Sequence, residues 1–154
     1  MITVAAVWTG LMLPIYRDLP PTVASHFDAR GNPNGWMSKE MFVIVEAAIL
    51  IFVVGQFLLV PFLVRRLPNS LINLPNREYW LSDEHREETL SIVGSYFEIF
   101  GAAILVFFIV VNQFVYQANV SKTNLSSSMW FIVVGFLVFT LVWLIKLIRE
   151  FKVN

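Results

Sequence analysis

The sequence contains no cysteine and few charged residues. Without a thiol, the chain forms no disulfide, no thiolate metal site and no cysteine nucleophile. Only 14% of its 154 residues are charged, against about 25% in an ordinary soluble domain. Acidic and basic residues balance at 11 each, so the net charge gives no indication of a nucleic-acid partner. Because 57% of the residues are hydrophobic, the composition favours a membrane protein.

The hydrophobic residues fall into four long runs, at about 1–16, 41–64, 92–116 and 129–148. A helix needs about 20 apolar residues to cross the hydrocarbon core of a bilayer, and the last three runs are that long. The first run would span only about 24 Å as a helix. It follows no basic segment and precedes no small-residue cleavage site, so we interpret it as a retained span and not a signal peptide. We expect it either to be short or to begin upstream of Met1.

These runs predict an all-α integral membrane protein: a four-helix transmembrane bundle forming a single membrane domain over 1–154. Loop 17–40 would join the first two spans, and loop 65–91 the next two. In the second loop, Ser82 followed by Asp83 and Glu84 predicts a helix N-terminus that continues into the third span. Gly94, Gly101 and Gly135 are expected at close contacts between helices.

Lysine and arginine predict the orientation of these spans. Loops on the cytoplasmic side of a membrane carry an excess of these residues. The first and third loops hold four of them, Arg17, Arg30, Lys39 and Lys122. The second loop and the C-terminal end hold seven: Arg65, Arg66, Arg77, Arg86, Lys146, Arg149 and Lys152. The count predicts that loop 65–91 and both termini are cytoplasmic, and that loop 17–40 is extracytoplasmic.

The outer loop carries the most distinctive pattern of the sequence. Two prolines at 20–21 exclude helix there, residues 23–28 are compatible with a short strand, and residues 31–35 are dense in turn-forming residues. An ordered loop is therefore expected. We single out the following residues as binding a partner or structuring the loop: Leu19, Pro20, His26, Phe27, Asp28, Gly31, Pro33, Gly35, Trp36 and Lys39.

This pattern, Leu-Pro followed by His-Phe, then Gly-x-Pro and a lysine, stands directly after a first span. It resembles the bacterial SdpI-type family of membrane proteins, which carry a domain of unknown function with such a loop. Residues 72–80 and Arg86 of the second loop also look like the small members of that family. The resemblance implies a short-form, multi-pass protein of the bacterial inner membrane. The family's namesake is an immunity and signalling protein that acts against a secreted peptide toxin, and the resemblance implies a role of this kind.

Two residues of the outer loop form a candidate metal site. His26 and Asp28 are ligand types that suit zinc or manganese, with Asn32 or Asn34 as a third ligand. On alternating strand geometry both side chains would face one side. The alternative is structural, with both residues hydrogen-bonded to turn amides and to each other. We favour the structural interpretation, and expect no metal and no cofactor.

Five polar residues lie inside the predicted spans. Glu46, Asn112 and Gln113 lie near the outer ends, and Gln56 and Glu98 nearer the cytoplasm. An unpaired carboxylate in hydrocarbon is costly, so these side chains are expected to face the bundle interior. Glu46 is expected to pair with Asn112 or Gln113. The five polar residues either form a path for protons or cations, or they make hydrogen bonds between helices. We favour the latter because a wide apolar gap separates the two levels.

Three hypotheses of function follow. The first is a non-enzymatic membrane protein whose outer loop binds a peptide, a toxin or a membrane-protein partner. The second is a small transporter or channel subunit that uses Glu46 and Glu98. The third is a metal-dependent membrane enzyme that uses His26 and Asp28. The sequence shows no catalytic motif, and it shows no internal repeat of the kind found in transporters. We therefore expect the first, with the lipid bilayer as surroundings, no nucleic acid, and oligomerisation left open.

Overall fold

The chain is mostly helical. The computed structural model describes residues 1–152. Its elements, in chain order, are helix α1 (Ile2–Asp18), strands β1 (Thr22–Phe27) and β2 (Pro33–Ser38), helix α2 (Lys39–Val64), a 3-10 turn (Asn69–Leu71), the short helix α3 (Arg77–Trp80), and helices α4 (Arg86–Ser121) and α5 (Met129–Glu150).

Three of these helices, α2, α4 and α5, are long and apolar enough to cross a membrane. Their large hydrophobic side chains are widely exposed, as at Phe52, Phe131 and Leu137. A water-soluble fold does not leave such continuous apolar surface open, so these helices fit a membrane protein. Helix α1 covers the first run with only 17 residues. The four-span bundle therefore stays a prediction.

Helix α4 is the centre of the helix packing, because α1, α2 and α5 all contact it. Val53 and Phe57 of α2 pack with Leu105 of α4 in a buried cluster. Gly101 permits this approach, since a Cβ atom there would lie 2.7 Å from the Phe57 ring. The predicted close contact at Gly101 is confirmed.

The other two glycines behave differently. A Cβ atom at Gly94 would make only an ordinary contact with Pro61, at 3.9 Å. A Cβ atom at Gly135 would meet nothing within 4 Å. The expectation of a close helix contact at Gly135 is therefore wrong within this chain. Helix α5 lies at the edge of the packing and is held by aromatic stacking, with ring centroids 4.4 Å apart both for Phe100–Trp143 and for Phe107–Phe136.

Helix α4 starts later than Ser82, so the predicted N-cap is wrong. Ser82 opens a turn, its hydroxyl donates to the Tyr79 carbonyl, and the helix begins at Arg86. The expected continuation is confirmed, because one helix runs from Arg86 to Ser121. It extends past the predicted end of the run at 116 and shortens the third loop to 122–128.

The prediction of an all-α chain is wrong for the first loop, where β1 and β2 form an antiparallel hairpin. The prolines and turn residues keep this segment out of a helix. Residues 33–35, expected in a turn, belong to β2 instead. One face of the hairpin packs on the helices, because Val23 joins Leu19 and Phe42 in a core cluster. We call this end of the molecule, with residues 122–128, the hairpin end.

The opposite end, formed by residues 65–85 and Phe151, is the loop end. Arg86 organises it by donating through Nη2 to the carbonyls of Arg65 and Leu67, both at 3.0 Å, and through Nε to Asn69 Oδ1 at 3.0 Å. The guanidinium thus satisfies carbonyls left open where α2 ends. Asn76 and Trp80 both donate to the carbonyl of the buried Phe151. The second loop is therefore held to α4 and α5 by side chains.

Candidate functional site

Asn119, in the last turns of α4, attaches the hairpin to the helices. Its Oδ1 accepts the Ala24 amide at 2.7 Å, and its Nδ2 donates to the Ala24 carbonyl at 3.0 Å and to the Val115 carbonyl at 2.9 Å. Asn119 and Ala24 are both buried. One side-chain amide therefore replaces a neighbouring strand on the free edge of β1. Nothing in the sequence pattern predicts this role of Asn119.

The hairpin turn is built around Asp28. Its Oδ1 accepts the amides of Arg30 and Asn32, at 2.8 and 2.9 Å, and its Oδ2 accepts the Asn32 side-chain amide at 2.9 Å. These hydrogen bonds, that from the Asn32 side chain above all, lower the pKa of Asp28 from its ordinary value of 3.8. The predicted bonds from Asp28 to turn amides are confirmed.

Gly31 joins this turn to the segment between α4 and α5. Its φ of 81° suits glycine, and a Cβ atom there would lie 2.5 Å from the Leu125 carbonyl oxygen. The Leu125 amide donates to the Gly31 carbonyl at 2.9 Å, and the Asn124 side chain donates to Asn32 Oδ1 at 2.8 Å. A side chain at position 31 would thus collide with the backbone of Leu125 in the third loop, which explains why glycine is required there.

His26 does not share a site with Asp28. Strand β1 ends at Phe27, so Asp28 lies in the turn, beyond the strand alternation on which the prediction of a shared face rests. His26 Nδ1 lies 3.0 Å from Ser25 Oγ, and a Cβ atom at Gly35 would lie 3.1 Å from His26 Cβ. The structure, which describes residues 1–152, shows no hydrogen bond between His26 and Asp28, although one is expected from the sequence. Their arrangement is that of a hairpin, with Gly35 giving room to the histidine.

Lys39 fixes the chain where α1 ends. Its ammonium donates to the Leu19 carbonyl at 3.2 Å and lies 4.6 Å from the centre of the Tyr16 ring, a cation–π distance. Its backbone amide donates to the Pro21 carbonyl at 2.9 Å. The first leucine and the final lysine of the loop pattern are therefore in contact, although 20 residues separate them.

The outer face of the hairpin forms a shallow groove of about 290 Å³ with the end of α4. We call it the hairpin groove. It is lined by Pro20, Phe27, Pro33 and Trp36 from the predicted set, together with Asn119 and Lys122. Trp36 is 58% exposed. Tryptophan is among the residues that are enriched in protein interaction surfaces.

Strand β2 also has a free edge at Trp36. Both backbone groups of Ala24 bond to Asn119 and thus point away from β2. Ala24 and Trp36 are therefore a pair without ladder hydrogen bonds between them, and the backbone groups of Trp36 also point away from the ladder. Such an edge can accept another strand.

Inside the helices, Asn112 Nδ2 donates to Glu46 Oε2 at 2.7 Å. The predicted pair of Glu46 with an amide of α4 is confirmed, and Asn112 is the partner. Gln56, Glu98 and Gln113 are instead exposed on the helix surfaces, and Glu98 lines an open groove between α2 and α4. The expectation that these three face the interior is wrong within this chain.

Comparison with known protein families finds a match for the first third of the chain. A family model described as a domain of unknown function (DUF1648) matches residues 1–52. The matched part comprises α1, the hairpin and the first half of α2, so it includes the loop pattern with its hairpin groove. No curated protein and no solved structure matches the chain. The SdpI-type assignment stays a prediction.

Proposed function

We propose that this chain is a non-enzymatic, multi-pass membrane protein whose hairpin end docks an extended segment of a peptide or membrane-protein partner. The observation that carries the proposal is the free edge of β2 at Trp36, next to the hairpin groove. Main-chain hydrogen bonds to such an edge give affinity, and neighbouring side-chain pockets give specificity. The resemblance to an immunity and signalling family supports a peptide or toxin as the partner.

Rigidity of the hairpin supports the same proposal. Asn119, Asp28 and Gly31 hold it to α4 and to the third loop, so its edge is pre-formed. A pre-formed edge lowers the conformational entropy lost when a partner strand binds. Lys122 adds a positive charge at the groove, which favours a segment with an acidic residue or a terminal carboxylate.

We further propose that α1 is a fourth span, that the hairpin end faces outward, and that the termini lie in the cytoplasm of a bacterial inner membrane. The lysine and arginine count supports this orientation. Single cysteines at Asn34 and Ser126 should react with an impermeant thiol reagent added to intact spheroplasts, and one at Asn76 should not. The native chain has no cysteine, so it provides the background control. If only the cysteine at position 76 reacts, the protein has the opposite orientation to the one proposed.

The docking proposal is tested by Trp36→Pro, which removes an amide that points away from the hairpin ladder. We expect the hairpin to remain folded, as judged by amide exchange at Val23, while a stoichiometric partner captured from native membranes by the tagged wild-type protein is lost. The matched control is Asn73→Pro, at the loop end: Asn73 is exposed, its amide donates no hydrogen bond within residues 1–152, and it follows the extended Ile72. This variant should keep the partner. Equal capture by the wild type and Trp36→Pro would contradict docking at this edge.

A further inference from the structure

Helix α4 has one face that the other helices leave open. Between residues 91 and 106, every exposed residue of α4 falls within about 100° of the helix surface. We call this surface the open face, and it consists of Ser91, Ser95, Glu98, Ile99 and Val106. Three of these five side chains are polar, although polar groups are costly where a helix meets lipid tails. The open face therefore indicates contact with another membrane-spanning segment.

Glu98 is the residue of the open face that most needs a partner. It lies six positions inside the apolar run that begins at 92, which is about 9 Å along the axis. It lines a groove of about 310 Å³ between α2 and α4, together with Ser95 and Arg65. Arg65 does not neutralise it, because its guanidinium lies 3.5 Å from Glu87, and Glu98 forms no ion pair within residues 1–152. A carboxylate in hydrocarbon is costly unless it is paired.

A cation lies at the same depth on α5. Phe100 of α4 stacks on Trp143 of the antiparallel α5 with ring centroids 4.4 Å apart, and the second stacked pair of these helices has the same register. Lys146 follows Trp143 by three positions, so it is level with position 97 of α4 and within about 1.5 Å of Glu98 in depth. Lys146 is exposed and forms no ion pair within the part of the chain that the structure describes.

Glu98 and Lys146 do not meet within one chain. Tyr96 and Phe100 both pack their rings against Trp143 of α5, with centroids 6.2 and 4.4 Å apart. Glu98 is two positions from each of them, which corresponds to about 200° around the helix. The body of α4 therefore separates the Glu98 carboxylate from α5 of the same chain. A Lys146 that pairs with Glu98 has to come from another copy.

A second copy related by a two-fold axis along the membrane normal fits this arrangement. Such an axis keeps every residue at its own depth, so Glu98 and Lys146 of two copies can pair twice, once on each side of the axis. The open faces of the two α4 helices then meet at the axis. Ser91 and Ser95 have small side chains, and small residues permit the close approach of membrane-spanning helices.

We propose that two copies of this chain form a parallel dimer through the open face of α4, in which Glu98 of each copy pairs with Lys146 of the other. The interaction requires α4 and α5 to span the membrane, but it does not depend on docking at the hairpin groove. Both hairpin ends lie on one side of the membrane in this dimer, so it presents two free β2 edges to the same compartment.

The first test is disulfide crosslinking in native membranes, where the absence of native cysteine gives a clean background. Val106→Cys places one thiol on the open face, and mild oxidation should convert this variant to a covalent dimer. Leu137→Cys is the control, because Leu137 is also exposed and is level with Val106, next to the stacked Phe107 and Phe136. It lies nine positions from Lys146, on the opposite side of α5 at about 180°, and should stay monomeric.

The second test exchanges the two charges in the Val106→Cys background. Glu98→Lys and Lys146→Glu each place like charges opposite one another, so each should lower the crosslinked fraction about fivefold to tenfold, as the loss of an interhelical bond implies. Co-expression of these two variants with different tags should restore crosslinking between them, because each copy supplies the charge that the other requires. Glu98→Gln, which keeps the shape and adds no cation to the membrane, should also lower the crosslinked fraction.

The outcomes separate the dimer from the ion pair. Failure of Val106→Cys to crosslink, or equal crosslinking of Leu137→Cys, would overturn the dimer. A crosslinked fraction that Glu98→Gln and both charge reversals leave unchanged would overturn the ion pair, and so would the absence of recovery on co-expression. The amount of each tagged chain in the membrane is measured in parallel, so that a lost crosslink is distinguished from a lost protein. Capture of a partner through Trp36 can fail without changing any of these results.

Discussion

The two ends of the helices are ordered in different ways. At the hairpin end, strands β1 and β2 provide their own ladder, and one side chain, Asn119, replaces the missing neighbour strand. At the loop end no strand forms, and Arg86 satisfies the carbonyls that follow α2. The comparison teaches that an irregular segment at a membrane surface is held either by a backbone ladder or by a long polar side chain that reaches several carbonyls.

This difference has functional consequences. A ladder ends in an edge, so the hairpin end offers backbone groups and an exposed tryptophan to another chain. A segment tied only by side chains leaves gaps beneath it, so the loop end encloses a cavity of about 210 Å³. The proposed docking of a partner strand therefore concerns the hairpin end alone.

The largest effect is expected for Asn119→Leu. This change leaves the buried amide and carbonyl of Ala24 without partners, and each unsatisfied group costs about 1 to 3 kcal/mol. We expect a loss of about 2 to 4 kcal/mol in the free energy of unfolding, measured in detergent, and rapid amide exchange in β1. Asn34→Leu, on the exposed side of β2, is the matched control and should be nearly neutral. A stable Asn119→Leu protein would show that the hairpin stands without this side chain.

Arg86→Lys should have the next largest effect, at the other end. A lysine cannot reach two carbonyls and the Asn69 side chain in the planar geometry of a guanidinium. We expect a loss of about 1 to 3 kcal/mol and faster proteolysis in residues 65–85. Arg77→Lys is the control, because within residues 1–152 the Arg77 side chain donates one hydrogen bond, to the Ser70 carbonyl, which is long at 3.4 Å. Similar stabilities of the two variants would mean that Arg86 does not organise the loop end.

Glu46 tests the region between the two ends. Glu46→Leu leaves the buried Asn112 amide without its acceptor and should cost about 1 to 2 kcal/mol. Glu46→Gln keeps an acceptor and should retain the fold. Gln113→Leu, on an exposed face at the same level, is the control and should change little. If Glu46→Leu unfolds like the parent, the pair is not structural, and the transporter hypothesis gains weight.

The sequence predicts those features that depend on local composition or on helix register. Long apolar runs indicate α2, α4 and α5, and antiparallel neighbours place Glu46 beside Asn112. It does not predict which helix faces meet, because that depends on tertiary packing. The prediction that Gln56, Glu98 and Gln113 face the interior is therefore wrong. The second strand was missed because Pro33 and Gly35 read locally as turn residues, whereas pairing with β1 and the contact of Gly31 with Leu125 decide its conformation.

The smallest effect, and the sharpest for the hairpin, concerns the charge of Asp28. Hydrogen bonds to its carboxylate lower its pKa in the folded chain below the ordinary value of 3.8. The folded state therefore favours the charged form, and the resulting stabilisation is complete above pH 3.8 and is lost as the pH falls through the folded pKa. Asp28→Asn should lower the unfolding temperature at pH 7, and this deficit should shrink towards zero in strongly acidic buffer. Other carboxyl groups titrate equally in both proteins, so the difference between the two isolates Asp28. Asp83→Asn, at an exposed carboxylate of the loop end that accepts no hydrogen bond within residues 1–152, is the control for the loss of one surface charge. A deficit that stays constant down to pH 2 would show that the turn needs the shape of residue 28 and not its charge.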